Sequence, residues 1–150
     1  VAKPPHNDFW SNNYMSTLPS SSHASTILLA HGSTDQNWLA PFGDLLANIR
    51  SGLNTERVEL AYMELAEPSL EQQVTLLASE GYTHIDVLPL FFAAGRHLRR
   101  DVPKIIETLQ AELAVQGHTI TIDLHPPVGL DPEVASAISQ IVIQKVSLDA

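Results

Sequence analysis

A single α/β domain, built on a four-stranded parallel sheet with helices on both faces, is the architecture this sequence predicts. Three observations predict it. From Thr26 a unit of short apolar run, loop and amphipathic helix repeats, the runs beginning near Thr26, Val58, His84 and Thr119; that spacing is the length of one βα unit. The run TILLA (26–30) is apolar without interruption, as a strand covered on both faces must be, whereas TITIDLH (119–125) alternates, as an edge strand does. A chain of 150 residues with 44% hydrophobic content has enough apolar material for one ordinary domain and too little for two.

Each element carries its own signal. Residues 1–25 hold Pro, Ser and Asn clusters without a sustained period and read as a flexible leader or a remnant of expression, with Met15 a candidate start and His6 and His23 incidental. Helix one sets Trp38, Phe42, Leu45, Leu46, Ile49 and Leu53 on one face, with Pro41 acceptable in the first turn, where no amide donor is needed. VELAYMEL (58–65) is the second strand. Helix two opens at Pro68, presents Leu70, Val74, Leu77 and Ala78, and stops before Gly81. HIDVLPLFF (84–92) is a central strand whose regular pairing should end near Leu88, because Pro89 cannot donate to a ladder. Helix three is capped by Asp101, shows Val102, Ile106, Leu109 and Leu113, and ends at Gly117. Helix four begins at Asp131 with Pro132 in the first helical position and is expected to bury Val134, Ile138, Ile141 and Val142. The domain is then of the flavodoxin-like sort, strands one and three inside.

Composition excludes several classes of function. No apolar stretch reaches the roughly 18–20 residues that cross a bilayer, and the first residues lack the basic-then-apolar order of a secretory signal, so a cytoplasmic protein without a membrane partner is expected. With no cysteine, any metal must be held by nitrogen and oxygen. A net charge of −9 argues against a nucleic-acid partner. Of the eight Lys and Arg, four (Arg96, Arg99, Arg100 and Lys104) fall within nine positions. They form either a solvated helix start or a basic rim for an anionic small molecule.

Ligands of open α/β sheets bind outside the carboxyl ends of the strands. Those ends carry His31, Gly32 and Ser33; Glu64 and Glu67; Arg96 and His97; and His125. Several have plain structural explanations. Gly32 permits a tight turn, Ser33 or Thr34 can begin helix one, Glu67 can favour helix two by its charge, and His125 reads first as a loop residue bonded to backbone. His84 and His118 lie at the opposite strand ends and read as structural. Glu64 lacks so easy an explanation, His31 and His97 are the pair hardest to dismiss, and imidazole with carboxylate suits cobalt, nickel, iron or zinc.

Four stretches together resemble a known family: LLAHGS (28–33), ELAEPSL (64–70), VLPLFFAAGRHLRRDVP (87–103) and the helix that follows. They look like the small sirohydrochlorin chelatases of the CbiX type, which insert cobalt into a precorrin-derived macrocycle and have ferrochelatase relatives. The similarity runs from about Thr26 to Val146. The resemblance implies a metal chelatase of cobalamin or sirohaem biosynthesis, with cobalt, or else iron or nickel, as substrate and no permanently bound cofactor. It gives His31 and His97 the metal-binding and catalytic positions and makes Glu64 the acidic site residue, Glu67 being held in reserve. Ser33, Arg96, Arg99, Arg100 and Lys104 are then the substrate-binding set, the cations pairing with the macrocycle's carboxylates. Chemistry agrees, because insertion requires loss of two pyrrole protons and a labile ion offered to the ring face. Histidine, of pKa about 6.5, either ligates or accepts a proton at a given nitrogen. One division of labour has the histidines hold the ion while Glu64 assists proton removal.

Two rivals remain. A histidine phosphatase wants arginine directly before the first-strand histidine, where this chain has Ala30. A flavin- or phosphate-binding module needs a richer phosphate cradle than HGSTDQN (31–37). A homodimer is expected, since one small domain offers a single wall to a flat macrocycle and the resemblance implies paired chains. Phe91, Phe92 and Leu98 either line the shared cleft, seal the interface or belong to the domain's own core.

Overall fold

The computed structural model describes residues 23–149; the expected leader, with His6 and Met15, lies outside the described residues apart from its last positions. The sheet contains β1 (Ala24–Ala30), β2 (Arg57–Tyr62), β3 (His84–Pro89) and β4 (Thr121–Leu124) in the order β2-β1-β3-β4. Every pairing is parallel, which places strands one and three inside, as expected. Strand one starts at Ala24, and the carbonyl of His23 accepts bonds from the amides of Thr83 and His84 at 3.0 and 3.1 Å. His23 is therefore tied to the domain through its backbone.

Regular pairing of β3 was expected to end near Leu88, and it ends at Val87 toward β4 and at Pro89 toward β1; Pro89 itself is the last residue of the strand. It is fully buried and stands opposite Leu29 in the register. The carbonyl of Val87 faces β4, where it accepts from the His125 amide, and the amide of Leu90 faces β1, where it donates to Leu29. Successive residues alternate sides, so the donor that Pro89 lacks would point toward β4. The last rung on that side is Val87 with Leu124. The missing donor thus falls where the ladder has already stopped.

Two cores flank the sheet. On one face Ile27, Leu29, Ile85, Val87 and Ile122 pack with helix α2 (Leu70–Ser79) and helix α3 (Val102–Val115). On the other, Leu28, Leu60, Tyr62 and Leu88 meet helix α1 (Gln36–Ser51). A fully buried Leu or Ile side chain is worth about 1.5–3 kcal/mol over its exposed state, so these two layers hold the fold. Within α3 the predicted face, Val102, Ile106, Leu109 and Leu113, is the buried one. Helix α2 starts one residue after Ser69, whose side chain and that of Gln72 form a reciprocal capping box.

Four helix expectations need correction. The stripe of α1 that reaches the core is Leu39, Phe42, Leu46 and Ile49, continued by Leu53, while Trp38 and Leu45 stay 37% and 40% exposed. Pro41 sits inside α1, beyond its first turn; both it and Asn37, whose carbonyl loses a donor, face solvent, where water satisfies the group. Asp101 does not cap α3, because a π-helical turn (His97–Asp101) runs directly into that helix. The terminal helix α4 (Pro132–Asp149) does not bury its apolar face: Val134 is half-buried, but Ile138, Ile141 and Val142 are exposed. Its main packing partner is the 3-10 turn before it (Val128–Leu130), so among the described residues no sheet face covers those side chains.

Candidate active site

The loops after β1 and β2 are clasped at the carboxyl rim. The amide of Met63 donates to Ala30 at 2.8 Å and that of Glu64 donates to His31 at 3.0 Å. Gly32 makes the clasp possible, since it has φ of +99° and a Cβ there would lie 1.8 Å from the Glu64 carbonyl oxygen. Only glycine tolerates both conditions. His31 and Glu64 are therefore brought together by backbone, and both are exposed. The Glu64 carboxylate enters no ion pair or hydrogen bond among the described residues and remains open to a ligand or a proton. Glu67 instead accepts from Gln72 Nε2 at 3.4 Å, beside the start of α2. Of the two carboxylates, Glu64 has the better placement.

Phe91 sets the His31 ring. The two rings stack with centroids 4.2 Å apart and 25° between planes. The Phe91 carbonyl is itself held by the Gly129 amide at 2.9 Å, and a Cβ at Gly129 would come within 2.3 Å of Phe92 Cα. A glycine in the loop after β4 thereby locates a ring that orients a histidine after β1. Of the three apolar residues considered for a cleft, Leu98 is buried in the core, Phe91 is half-buried, and Phe92 is 70% exposed. Leu65 is 65% exposed with φ of +63°, a backbone state costly for a residue with a side chain. Two large apolar side chains thus stand out from the loops after β2 and β3, a feature that composition did not reveal.

His97 opens the π-helical turn, with its side chain 66% exposed, and its Nδ1 lies 2.6 Å from Asp101 Oδ2. The carboxylate fixes the ring and leaves Nε2 available, an arrangement common among metal-ligating histidines. The spacing of four residues between His97 and Asp101 was the sequence signal for this pair, obscured by the cap reading. His31, Glu64 and His97 do not form a closed ligand cage: among the described residues the one group of three metal-ligating side chains with donor atoms within 4.8 Å of one another is His84, Asp86 and Asp123. An open rim suits an ion that must be handed on.

The remaining candidates divide. Ser33 is half-buried and its Oγ accepts from the Asp35 amide at 3.0 Å, just ahead of the Asp35 cap of α1. Arg96, Arg99, Arg100 and Lys104 are all exposed, and none joins an ion pair among the described residues. Four unpaired cations on an acidic chain are free to meet anions. His125 does not join the rim, since it is 4% exposed and its Nε2 lies 2.7 Å from Asp86 Oδ1.

A family model described as CbiX matches residues 25–145. The chain belongs to the CbiX family. This CbiX-family chain is similar over most of its length to the sirohydrochlorin cobaltochelatase of Sulfurisphaera tokodaii, at 30% identity covering 77% of this chain and 88% of the relative. The cobaltochelatase of Saccharolobus solfataricus is 28% identical, with 81% and 91% covered. Among solved structures, a CbiX protein of Marinobacter aquaeolei VT8 described under cobalamin biosynthesis superposes with a TM-score of 0.71 at 42% identity, covering 83% of this chain and 98% of that one. The cobalt complex of the sirohydrochlorin chelatase SirB from Bacillus subtilis subspecies spizizenii shares the fold at a TM-score of 0.70 and 24% identity, and the present chain covers 50% of its length.

Proposed function

We propose that this protein inserts a divalent metal into sirohydrochlorin, with His31 and His97 holding the ion, Glu64 taking up pyrrole protons, and Ser33, Arg96, Arg99, Arg100 and Lys104 receiving the macrocycle's polar edge. The observation that carries the reading is the clasp of His31 to Glu64 at the sheet's carboxyl rim, in a CbiX-family chain that covers 88% of a relative named as a cobaltochelatase. The ion at this rim is substrate, and the reaction needs no resident cofactor. Cobalt is the favoured metal because the relatives most fully covered carry its name, although iron and nickel accept the same nitrogen and oxygen donors. A chain without cysteine gains nothing from an oxidising compartment, and the cytoplasm is its proposed place of work.

The working unit in this reading is a homodimer. One rim with a few loops covers one side of a flat ring, and a second copy supplies the other. Support comes from the exposed apolar residues of α4 and from Phe92 and Leu65 at the rim, which a partner would cover. Anaerobic incubation with sirohydrochlorin and Co²⁺, Fe²⁺ or Ni²⁺ in turn, followed by absorbance, tests the activity. A metal-dependent spectral change faster than the protein-free control is expected; rates equal to that control with all three ions overturn it.

A further inference from the structure

We propose that His84, Asp86 and Asp123 form a second divalent-metal site, separate from the rim, that takes a zinc- or cobalt-class ion and ties the edge strand β4 to β3. Asp86 and Asp123 are direct partners in the β3–β4 register, and His84 stands two residues before Asp86, so side-chain alternation brings all three to one face. His84 Nε2 lies 3.2 Å from Asp86 Oδ1 and 3.4 Å from Asp123 Oδ2. Those spacings are long for charge-assisted hydrogen bonds, which run at about 2.7–2.9 Å. Two ligand atoms that share a tetrahedral ion at about 2.0–2.2 Å are roughly 3.3–3.6 Å apart; the 3.4 Å spacing falls in that range and the 3.2 Å spacing just below it.

A second observation points to a cation. Asp86 is 3% exposed, and its Oδ2 is sealed from solvent with no hydrogen-bond donor. Among the described residues no Lys or Arg forms an ion pair with it; its partners there are the two imidazoles of His84 and His125, both on Oδ1. A buried carboxylate with one idle oxygen is costly unless charge is brought to it. With the imidazoles neutral, Asp86 and Asp123 together carry two negative charges, which one divalent ion balances. His125, 2.7 Å from Asp86 Oδ1, then orients the carboxylate from outside the coordination shell. The ion has a way in, because the side chains of Asp123 and His84 are 52% and 23% exposed. A donor set of imidazole and carboxylate without sulfur selects zinc, cobalt or nickel.

The test uses Co²⁺ and Zn²⁺ alone, without tetrapyrrole, so that it does not depend on chelatase activity. In the His31→Ala/His97→Ala protein, which lacks the proposed rim ligands, one equivalent of Co²⁺ should still bind with visible d–d absorption, Zn²⁺ should displace it, and either ion should raise Tm. Adding Asp123→Ala, a change at an exposed side chain, should weaken that binding at least tenfold and abolish the rise in Tm. Should the double variant fold poorly, the wild-type chain answers the same question: its Co²⁺ stoichiometry should fall by one equivalent in Asp123→Ala, with metal insertion at the rim retained. A folded double variant that binds no Co²⁺, or an Asp123→Ala protein with unchanged stoichiometry and affinity, overturns the site and leaves His84 as an ordinary hydrogen-bonded histidine.

Discussion

At the scale of single residues, the site depends on groups that hold other groups. His97 has its ring turned by Asp101 at 2.6 Å, and His31 has its ring stacked on Phe91. Replacing either histidine by alanine should abolish metal insertion while circular dichroism stays native, because neither lies in a core. Asp101 is a positioning residue, and its variants separate orientation from bulk: Asp101→Ala should weaken Co²⁺ binding at the rim about 10–100-fold, while Asp101→Asn, which keeps an acceptor, should recover much of it. The KM for sirohydrochlorin should move little in both. Equal metal affinity in Asp101→Ala and wild type would remove this role. His31 and His97 were visible in the sequence because topology puts the residues that follow a strand at the carboxyl rim, although His125, placed by the same rule, turns inward to Asp86. Asp101 was not, because the same aspartate before a helix reads equally well as a cap, and only the π-helical turn removes that option.

Elements are fastened to one another by features that have no apolar period. The β1 and β2 loops meet through Gly32, so Gly32→Ala should cost about 1–3 kcal/mol for its positive φ and, by displacing Glu64, should lower metal insertion further than the loss of folded protein explains. Thermal melts alongside turnover per folded molecule check this. On the far side of β2, Arg57 bonds Glu80 of the α2 end at 2.6 Å and Glu59 at 2.7 Å. The Arg57 guanidinium holds the Glu80 carboxyl below its ordinary value of 4.5. Because the folded pKa is depressed, this contribution to stability is present above the unfolded value and is lost as pH falls through the folded one. In Arg57→Ala the Glu80 titration followed by NMR should return upward toward 4.5, and the fold should lose part of its acid dependence.

Taken as a whole molecule, the domain is asymmetric in how well its helices are covered. Helices α1, α2 and α3 share two cores with the sheet, whereas α4 exposes Ile141, Ile143 and Val146 at 55%, 64% and 63%. An 18-residue helix is about 27 Å long, enough to supply a large part of the roughly 800 Å² per partner of a stable interface. Light scattering at micromolar concentration should report twice the 16.4 kDa chain mass, nearly independent of salt, since an apolar contact is not screened. Ile141→Glu with Ile143→Glu should yield monomers with reduced turnover. A wild-type monomer that inserts metal at full rate would refute the shared cleft.

The sequence by itself determined the elements, their order in the sheet and the rim on which chemistry gathers. Continuous apolar runs, caps and helical periods are local properties, and parallel connections leave few ways to arrange four of them. The sequence also named His31, Glu64 and His97 as candidates, because position at a strand end follows from those same elements. Tertiary structure decided everything that depends on which surfaces meet. Helix α4 has an apolar period like α3, yet no sheet face remains beneath it, and period reports that a face is apolar without saying what covers it. Pro89 sits in the ladder because β4 ends before its missing donor would be needed, a matter of two strands' relative lengths. Likewise His84 and Asp123 are 39 positions apart and become neighbours only through the β3–β4 register, which places Asp86 beside Asp123. Pairing across a register is a long-range choice, and no local pattern in either strand carries it.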